Sequence, residues 1–207
     1  MKKLEFLPEG ALWEPENRTL IVADMHLEKG ASLGLPPYDT LATLEKLERL
    51  IRGQKAARVL ALGDNFHRQG AGSKMHAHAR EELETVTAQC EFLWISGNHD
   101  PDWGEYEEHR DNGFVFRHEA EPAHEGPDIE ISGHFHPKIS ILHRGRRLRG
   151  KCFIEDDKRI ILPAFGEYTG GLDITSSVFE EFLAPDFRIH ICGQKLHSLR
   201  KQQIPIR

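Results

Sequence analysis

Four short apolar runs in this chain each break off into a cluster of Asp, His or Asn. Residues 19–23 lead into Asp24-Met25-His26, residues 59–62 into Gly63-Asp64-Asn65-Phe66-His67, residues 92–96 into Gly97-Asn98-His99-Asp100, and residues 129–132 into Gly133-His134-Phe135-His136. Short apolar runs bounded by turn residues read as buried strands. In open α/β sheets, ligand sites form just beyond the carboxyl ends of the strands. The chain is therefore constrained to a sheet-based fold whose strand ends converge on one polar site. Carboxylates, imidazoles and an amide oxygen together suit a pair of divalent metals, which points to a metal-dependent hydrolase.

Each cluster has its own chemistry. Asp24 and His26 are two apart, so in an extended segment both side chains point to the same side and can share one metal. The same holds for His134 and His136. Gly63 lets the backbone turn, and the two oxygens of Asp64 can bridge two metals. His67, three residues on, can reach the same pocket and is a candidate substrate contact. The Asn98 amide oxygen is a hard-metal ligand, and His99 is a candidate acid or cation with Asp100 available to orient it. Singly, each cluster has a plainer reading: a solvated loop histidine, a turn, or an Asx turn before a helix. Their order and their shared placement at strand ends favour a common metal site.

At 207 residues the chain is expected to form one domain, residues 1–207, with a core of two or more layers. No apolar stretch approaches the roughly 20 residues that span a bilayer, so no membrane association is expected. Residues 1–8 lack the long apolar core and small-residue cleavage site of a signal peptide. Cys90, Cys152 and Cys192 are far apart and form no Cys-x-x-Cys spacing. They read as buried or incidental thiols in a reducing compartment, which makes a cytoplasmic location the expectation. The formal net charge of −6 excludes a surface coated in positive charge for non-specific nucleic-acid binding, though not a local basic strip.

The N-terminal part alternates strands with helices. Asp39 or Thr40 can cap a helix to about Gln54, with Leu41, Leu44, Leu47 and Ile51 on one face. A second helix is expected over 74–89, with Leu83 and Val86 inward, and residues 114–118 read as a strand. From Ile129 onward, short strands are expected at 139–143, 148–154, 159–162, 172–174 and 187–192, separated by turn residues. Residues 144–151 read as a hairpin. A βαβ half followed by a β-rich half implies two sheets packed face to face with helices outside.

Asp24-x-His26, Gly63-Asp64, Gly97-Asn98-His99-Asp100 and Gly133-His134-x-His136 resemble, in order, the signature of the calcineurin-like metallophosphoesterases. His67 stands where many relatives carry a second Asp. With the stretch Leu162-Pro163-Ala164-Phe165-Gly166-Glu167-Tyr168-Thr169-Gly170-Gly171, the chain is most similar to the bacterial DNA-ligase-associated metallophosphoesterases. The resemblance implies a four-layer αββα sandwich of two mixed sheets with two metals at the strand ends. It assigns Asp24, His26 and His136 to one metal, Asn98 and His134 to the other, and Asp64 to both. It makes His99 the catalytic histidine and Asp100 its partner. It also requires one more histidine between Asn98 and His134. His118 ends an apolar run as the other ligands do, His109 lies in a charged stretch expected to be helical, and His124 lies in a Pro/Gly-rich loop. His118 is the expected ligand.

In two-metal hydrolysis the ions share a water, lower its pKa and stabilise charge on the phosphoryl oxygens. The mixed oxygen and imidazole set suits Mn²⁺ first, with Fe, Co, Ni or Zn as alternatives. The resemblance implies a phosphodiesterase, specifically a DNA endonuclease in repair, associated with a DNA ligase and a helicase. Two alternatives stand beside it: a phosphomonoesterase or cyclic-nucleotide phosphodiesterase on small molecules, and a non-catalytic scaffold on the same fold. Arg144, Arg146, Arg147, Arg149 and Lys151 form a basic run that can track a phosphate backbone, or simply protect an edge hairpin. Arg144, Arg146 and Arg147 are the candidate substrate contacts there. Lys195, Arg200, Lys201 and Arg207 form a second basic group for which a solvated surface is the plainer reading.

Overall fold

The apolar runs pair into two sheets. The first contains β1 (Glu5–Phe6), β2 (Leu12–Glu14), β3 (Thr19–Val22), β4 (Arg58–Leu62) and β5 (Glu91–Ile95), in that spatial order. β1, β2 and β3 are antiparallel, whereas β3, β4 and β5 are parallel. The second contains β6 (Glu108–Asp111), β7 (Phe114–Arg117), β8 (Ile129–Ser132), β9 (Lys138–His143), β10 (Arg146–Glu155), β11 (Arg159–Ile161), β12 (Arg188–Ile191) and β13 (His197–Arg200). Its order is β13-β12-β10-β11-β8-β7-β6, with β9 paired to β10. The helices are α1 (Lys29–Ser32), α2 (Tyr38–Gln54) and α3 (Ala77–Thr87). This computed structural model describes residues 3–122, 124, 126–143 and 145–204, the side chains of His143 and Arg146 excepted. Arg144 and Arg207 lie outside the described residues.

The central parallel strands β3 and β4 are apolar along most of their length because both of their faces are covered. Leu20, Val22, Val59 and Ala61 pack with Leu44, Leu47 and Ile51 of α2 and with Leu83 and Val86 of α3. Ile21, Leu60, Leu62 and Ile95, on the other face, meet Phe116, Ile131, Phe153 and Ile160 of the second sheet. The far face of that sheet buries Cys152, Ile154, Ile161 and Ile189 beneath Ile174 and Phe179. Three apolar seams thus separate four layers, as the αββα expectation requires. The fourth layer is thin, built around the short 3₁₀ turn Ser177–Glu181. Each fully buried large side chain in these seams contributes about 1.5–3 kcal/mol.

Three local expectations are corrected. The second helix begins at Ala77, not Lys74, because Met75 and His76 are extended and Met75 buries its side chain in the first seam. His109 lies on strand β6, not on a helix. Asn112 and Gly113 both have positive φ, 53° and 74°, and close the two-residue β6–β7 hairpin that the charged composition disguised. Residues 172–174 make one isolated bridge, Lys138 with Asp173, instead of a strand. The Leu172 N–H is spent on the Phe135 and His136 carbonyls.

Candidate metal centre

The carboxyl ends of β3, β4, β5, β7 and β8 meet at one edge of the sandwich, and the four polar clusters meet with them. The backbone there is unusual. Asp24, His26, Asp64, His134 and His136 all have positive φ, at 55°, 45°, 46°, 69° and 46°. The extended reading of Asp24–His26 and His134–His136 is therefore corrected: left-handed residues, not a pleat, aim these side chains. Non-glycine residues in that region cost of order 1–3 kcal/mol each and persist where the surroundings over-determine them. Here the surroundings are neighbouring backbone. Asp24 N–H donates to the Gly63 carbonyl and His26 N–H to the Asp64 carbonyl. His134 N–H donates to Asp24 Oδ2 at 2.9 Å, and His99 N–H to Asp64 Oδ1 at 2.8 Å.

Two donor sets result. In the first, His26 Nε2 lies 3.2 Å from His136 Nε2, and Asp24 Oδ1 lies 3.4 Å from His136 Nε2. In the second, Asn98 Oδ1 is 2.9 Å from His118 Nε2 and 3.0 Å from His134 Nδ1, which are 3.1 Å from each other. Asp64 reaches both, with Oδ2 3.8 Å from His26 Nε2 and Oδ1 3.5 Å from His118 Nε2. His118 is brought into the site, anchored by Nδ1 against the Leu62 carbonyl at 2.9 Å. A Cβ on Gly63 would collide with its ring. His109 stacks on Phe116, and His124 faces the Asp128 carbonyl, away from the site.

The protonation states suit cations. Burial disfavours charge on Asp24, yet the imidazoles of His136, His118 and His26 hold its carboxyl below the usual range. Burial pushes His26 down to about 3 against the pull of Asp24. Burial and then the His118 imidazole lower His134 as well. Ionised carboxylate and neutral imidazole are the metal-binding forms. His26 Nε2 and His136 Nε2 face each other at 3.2 Å, within reach of one shared cation that would engage the lone pairs of both. Asp24 Oδ1 is also buried without a hydrogen bond. The residues therefore fit a divalent ion in each set.

His99 sits beside both sets and is half-exposed. Its Nδ1 donates to the His67 carbonyl at 2.7 Å, which leaves Nε2 facing the site, 3.8 Å from Asp64 Oδ2. The expected Asp100 orientation of that ring is corrected: Asp100 Oδ2 accepts from the Phe66 N–H at 2.9 Å and so holds the β4 and β5 loops together. Burial raises Asp100 to about 6. The His67 ring lies 5.7 Å from that of His26 and 5.6 Å from that of His99. His26, His67 and His99 form a third group with closely spaced donor atoms.

A support invisible to sequence reasoning lies behind the first set. Lys151 Nζ donates to the Ala164 carbonyl at 2.8 Å and the Gly166 carbonyl at 2.6 Å. Lys46 Nζ donates to the Phe165 carbonyl and to Glu167, both at 2.6 Å. The loop they grip donates from Phe165 N–H to the Ala23 carbonyl and from Gly166 N–H to the Asp24 carbonyl. A Cβ on Gly166 would strike the Met25 carbonyl oxygen. Lys151, read above as part of a surface basic run, is thus mostly buried, and burial followed by the Lys46 charge lowers it to about 8. The one signal was the stretch 162–171 itself, whose role its glycines did not disclose. Arg147 is not among the metal-site residues; it is exposed on β10, opposite Leu142.

The calcineurin-like phosphoesterase family model matches residues 17–192. The chain belongs to the calcineurin-like phosphoesterase family, a family of metal-dependent hydrolases. Among solved structures it is similar to the nuclease MPE of Pseudomonas putida, with 29% identity, a TM-score of 0.74, and 95% of this chain and 94% of that one covered. It is also similar to Yfce, a phosphoesterase from E. coli, with 14% identity, a TM-score of 0.42, and 87% and 97% covered. No curated protein matches the sequence. Among the described residues no helix is long and apolar enough to cross a membrane.

Proposed function

We propose that this chain is a binuclear metal-dependent phosphodiesterase whose substrate is DNA. The observation that carries the reading is the meeting of two metal-competent donor sets at Asp64, in a phosphoesterase whose structural relative is a nuclease. Asp24, His26 and His136 would hold one ion and Asn98, His118 and His134 the other, with Asp64 placed between the two sets. Mn²⁺ is the ion proposed, on the mixed oxygen and imidazole donor set. Bound divalent ions supply Lewis acidity and activation of water. The same reading takes residues 1–207 as one cytoplasmic domain.

The protein groups then have separate tasks. His99, with Nδ1–H fixed on the His67 carbonyl, presents Nε2 to the substrate. In its protonated form that nitrogen stabilises a phosphoryl oxygen and donates to the leaving oxygen. Asp100 keeps the His99 loop on the Phe66 backbone. His67 occupies the rim beside His99, where it can contact a non-bridging oxygen.

The test compares bis(4-nitrophenyl) phosphate, 4-nitrophenyl phosphate and a single-stranded oligonucleotide after chelation and after Mn²⁺ is restored. Metal-dependent cleavage of the diester and the oligonucleotide supports the reading. A clear preference for the monoester, or turnover in chelator, would overturn it.

A further inference from the structure

Of the two basic groups of the sequence, Arg147 and Arg149 of the first meet Lys195 of the second, while Arg200 and Lys201 line other surfaces. Arg147 and Arg149 on β10 and Lys195 and His197 at the β12–β13 turn line one groove of about 370 Å³, with Gln194 between them. All five side chains are exposed, and among the described residues no carboxylate lines the groove. The chain as a whole carries 33 acidic against 27 basic residues. Gathering cations without a counter-charge in such a chain disfavours the fold by self-repulsion, and a bound polyanion relieves it.

The strand pairing puts this groove at the metal-centre end of the second sheet, because β10 is antiparallel to β11 and β11 is parallel to β8, so the Arg146–Lys151 end of β10 lies with the carboxyl end of β8. β9 and β10 pair without interruption from Arg146 to Lys151. Arg147, Arg149 and Lys151 therefore lie on one face of β10. The last of them grips the Ala164–Gly166 backbone that braces Asp24. At about 3.3 Å per residue, Arg147 lies about 13 Å beyond Lys151 along the strand. Edge protection accounts for arginines on a hairpin, but not for Lys195 and His197 brought up against them from another strand pair.

We infer that Arg147, Arg149, Lys195 and His197 form an accessory track for the phosphate backbone of a nucleic-acid strand running away from the metal centre. This rests on the phosphodiesterase reading for its biological sense but is tested separately from it. A fluorescein-labelled single-stranded dT oligonucleotide is titrated with the full chain by anisotropy from 50 to 200 mM salt, beside the variants Arg147→Ala/Arg149→Ala, Lys195→Ala and the charge-matched control Lys158→Ala. Lys158 is exposed in the β10–β11 turn, at the opposite end of β11 from the site. Each phosphate contact on a single strand contributes about 0.7 to the slope of log affinity against log salt. The double variant is expected to reduce that slope by about 1.4 and Lys195→Ala by about 0.7, with Lys158→Ala unchanged. Slopes unaltered in the groove variants, equal losses in the control, or no binding by the unmodified chain would overturn the track. Salt-sensitive binding through the groove with no hydrolysis of any diester would overturn the phosphodiesterase reading and leave the track standing.

Discussion

The two donor sets offer similar metal-binding groups from differently built backbones. In the first, Asp24, His26 and His136 are all left-handed, and an outside loop gripped by Lys46 and Lys151 holds them there. In the second, Asn98 and His118 have ordinary backbone and take their direction from the ends of β5 and β7; only His134 is left-handed. A regular strand end places a ligand at no cost in backbone strain. Three left-handed ligands at about 1–3 kcal/mol each need a scaffold that pushes back. The stretch 162–171 supplies that scaffold, which explains why a loop without a metal-ligand side chain accompanies the ligand clusters in this sequence.

The sharpest way to break the distinction is to remove what the two sets share. Asp64→Ala takes a carboxylate from both sets and a hydrogen-bond acceptor from the His99 N–H. Activity on bis(4-nitrophenyl) phosphate should fall by at least about 10³-fold, the scale of the several kcal/mol that metal-ion catalysis supplies. Metal content by atomic absorption should fall at both sites together. Retention of one tightly bound ion with substantial turnover would show that the sets are independent. His99→Ala is the complementary case, because His99 belongs to neither set. A loss of about 10²–10⁴ in kcat is expected with metal content unchanged. Full activity in the metal-loaded variant would remove His99 from the chemistry.

How much of this was legible follows from which physics writes itself into local sequence. The strand runs, α2 and the convergence of the four clusters were readable, because burial on both faces imposes an apolar pattern and polar residues at the ends stand out against it. His118 was readable only as a strand end, and the Leu62 carbonyl and Gly63 that seat it are 56 and 55 residues away. The left-handed ligands were not legible: two-residue spacing looks the same in a pleat and in alternating αL turns. Nor was the Lys46–Lys151 grip, since a buried lysine bonded to carbonyls has the same letter as a solvated one. The β6–β7 hairpin was legible in Asn112-Gly113 and was overlooked because its flanking residues are charged.

Weakening the scaffold should separate the sets. Lys151→Met removes the donor to Ala164 and Gly166, and Gly166→Ala forces a Cβ against the Met25 carbonyl. Neither residue is a ligand. Outer supports of metal ligands are typically worth about 10–100-fold in affinity, and that loss should appear at one of the two sites. Titration with Mn²⁺ followed by electron paramagnetic resonance should show one site weakened and the other near its original affinity. Equal weakening at both would mean that the loop braces the whole centre and that the two sets do not differ in the way described.

A further effect is on the stability of the metal-free protein, and it distinguishes the ligand imidazoles from the scaffold lysine by pH. His26 is held near 3 when folded, against about 6.5 when unfolded. Between those values the unfolded chain binds the proton that the folded chain refuses, so stability falls as pH drops from 6.5 toward 3. One such group contributes a slope of at most about 1.4 kcal/mol per pH unit. Lys151 is lowered to about 8 from 10.5, so again the unfolded chain holds the extra proton, and stability should rise as pH climbs from 8 to 10.5. On the acid side Asp100, raised to about 6, opposes His26, so the His26 contribution is read as the difference between the chelated protein and His26→Gln; on the alkaline side urea midpoints should increase. His26→Gln should flatten only the acid limb and Lys151→Met only the alkaline one. On the proposed ligand set a bound divalent ion would hold His26 neutral, so saturating Mn²⁺ should shift the acid limb downward in pH and leave the alkaline limb in place. An acid limb insensitive to both His26→Gln and Mn²⁺ would place its titrating group outside the first donor set.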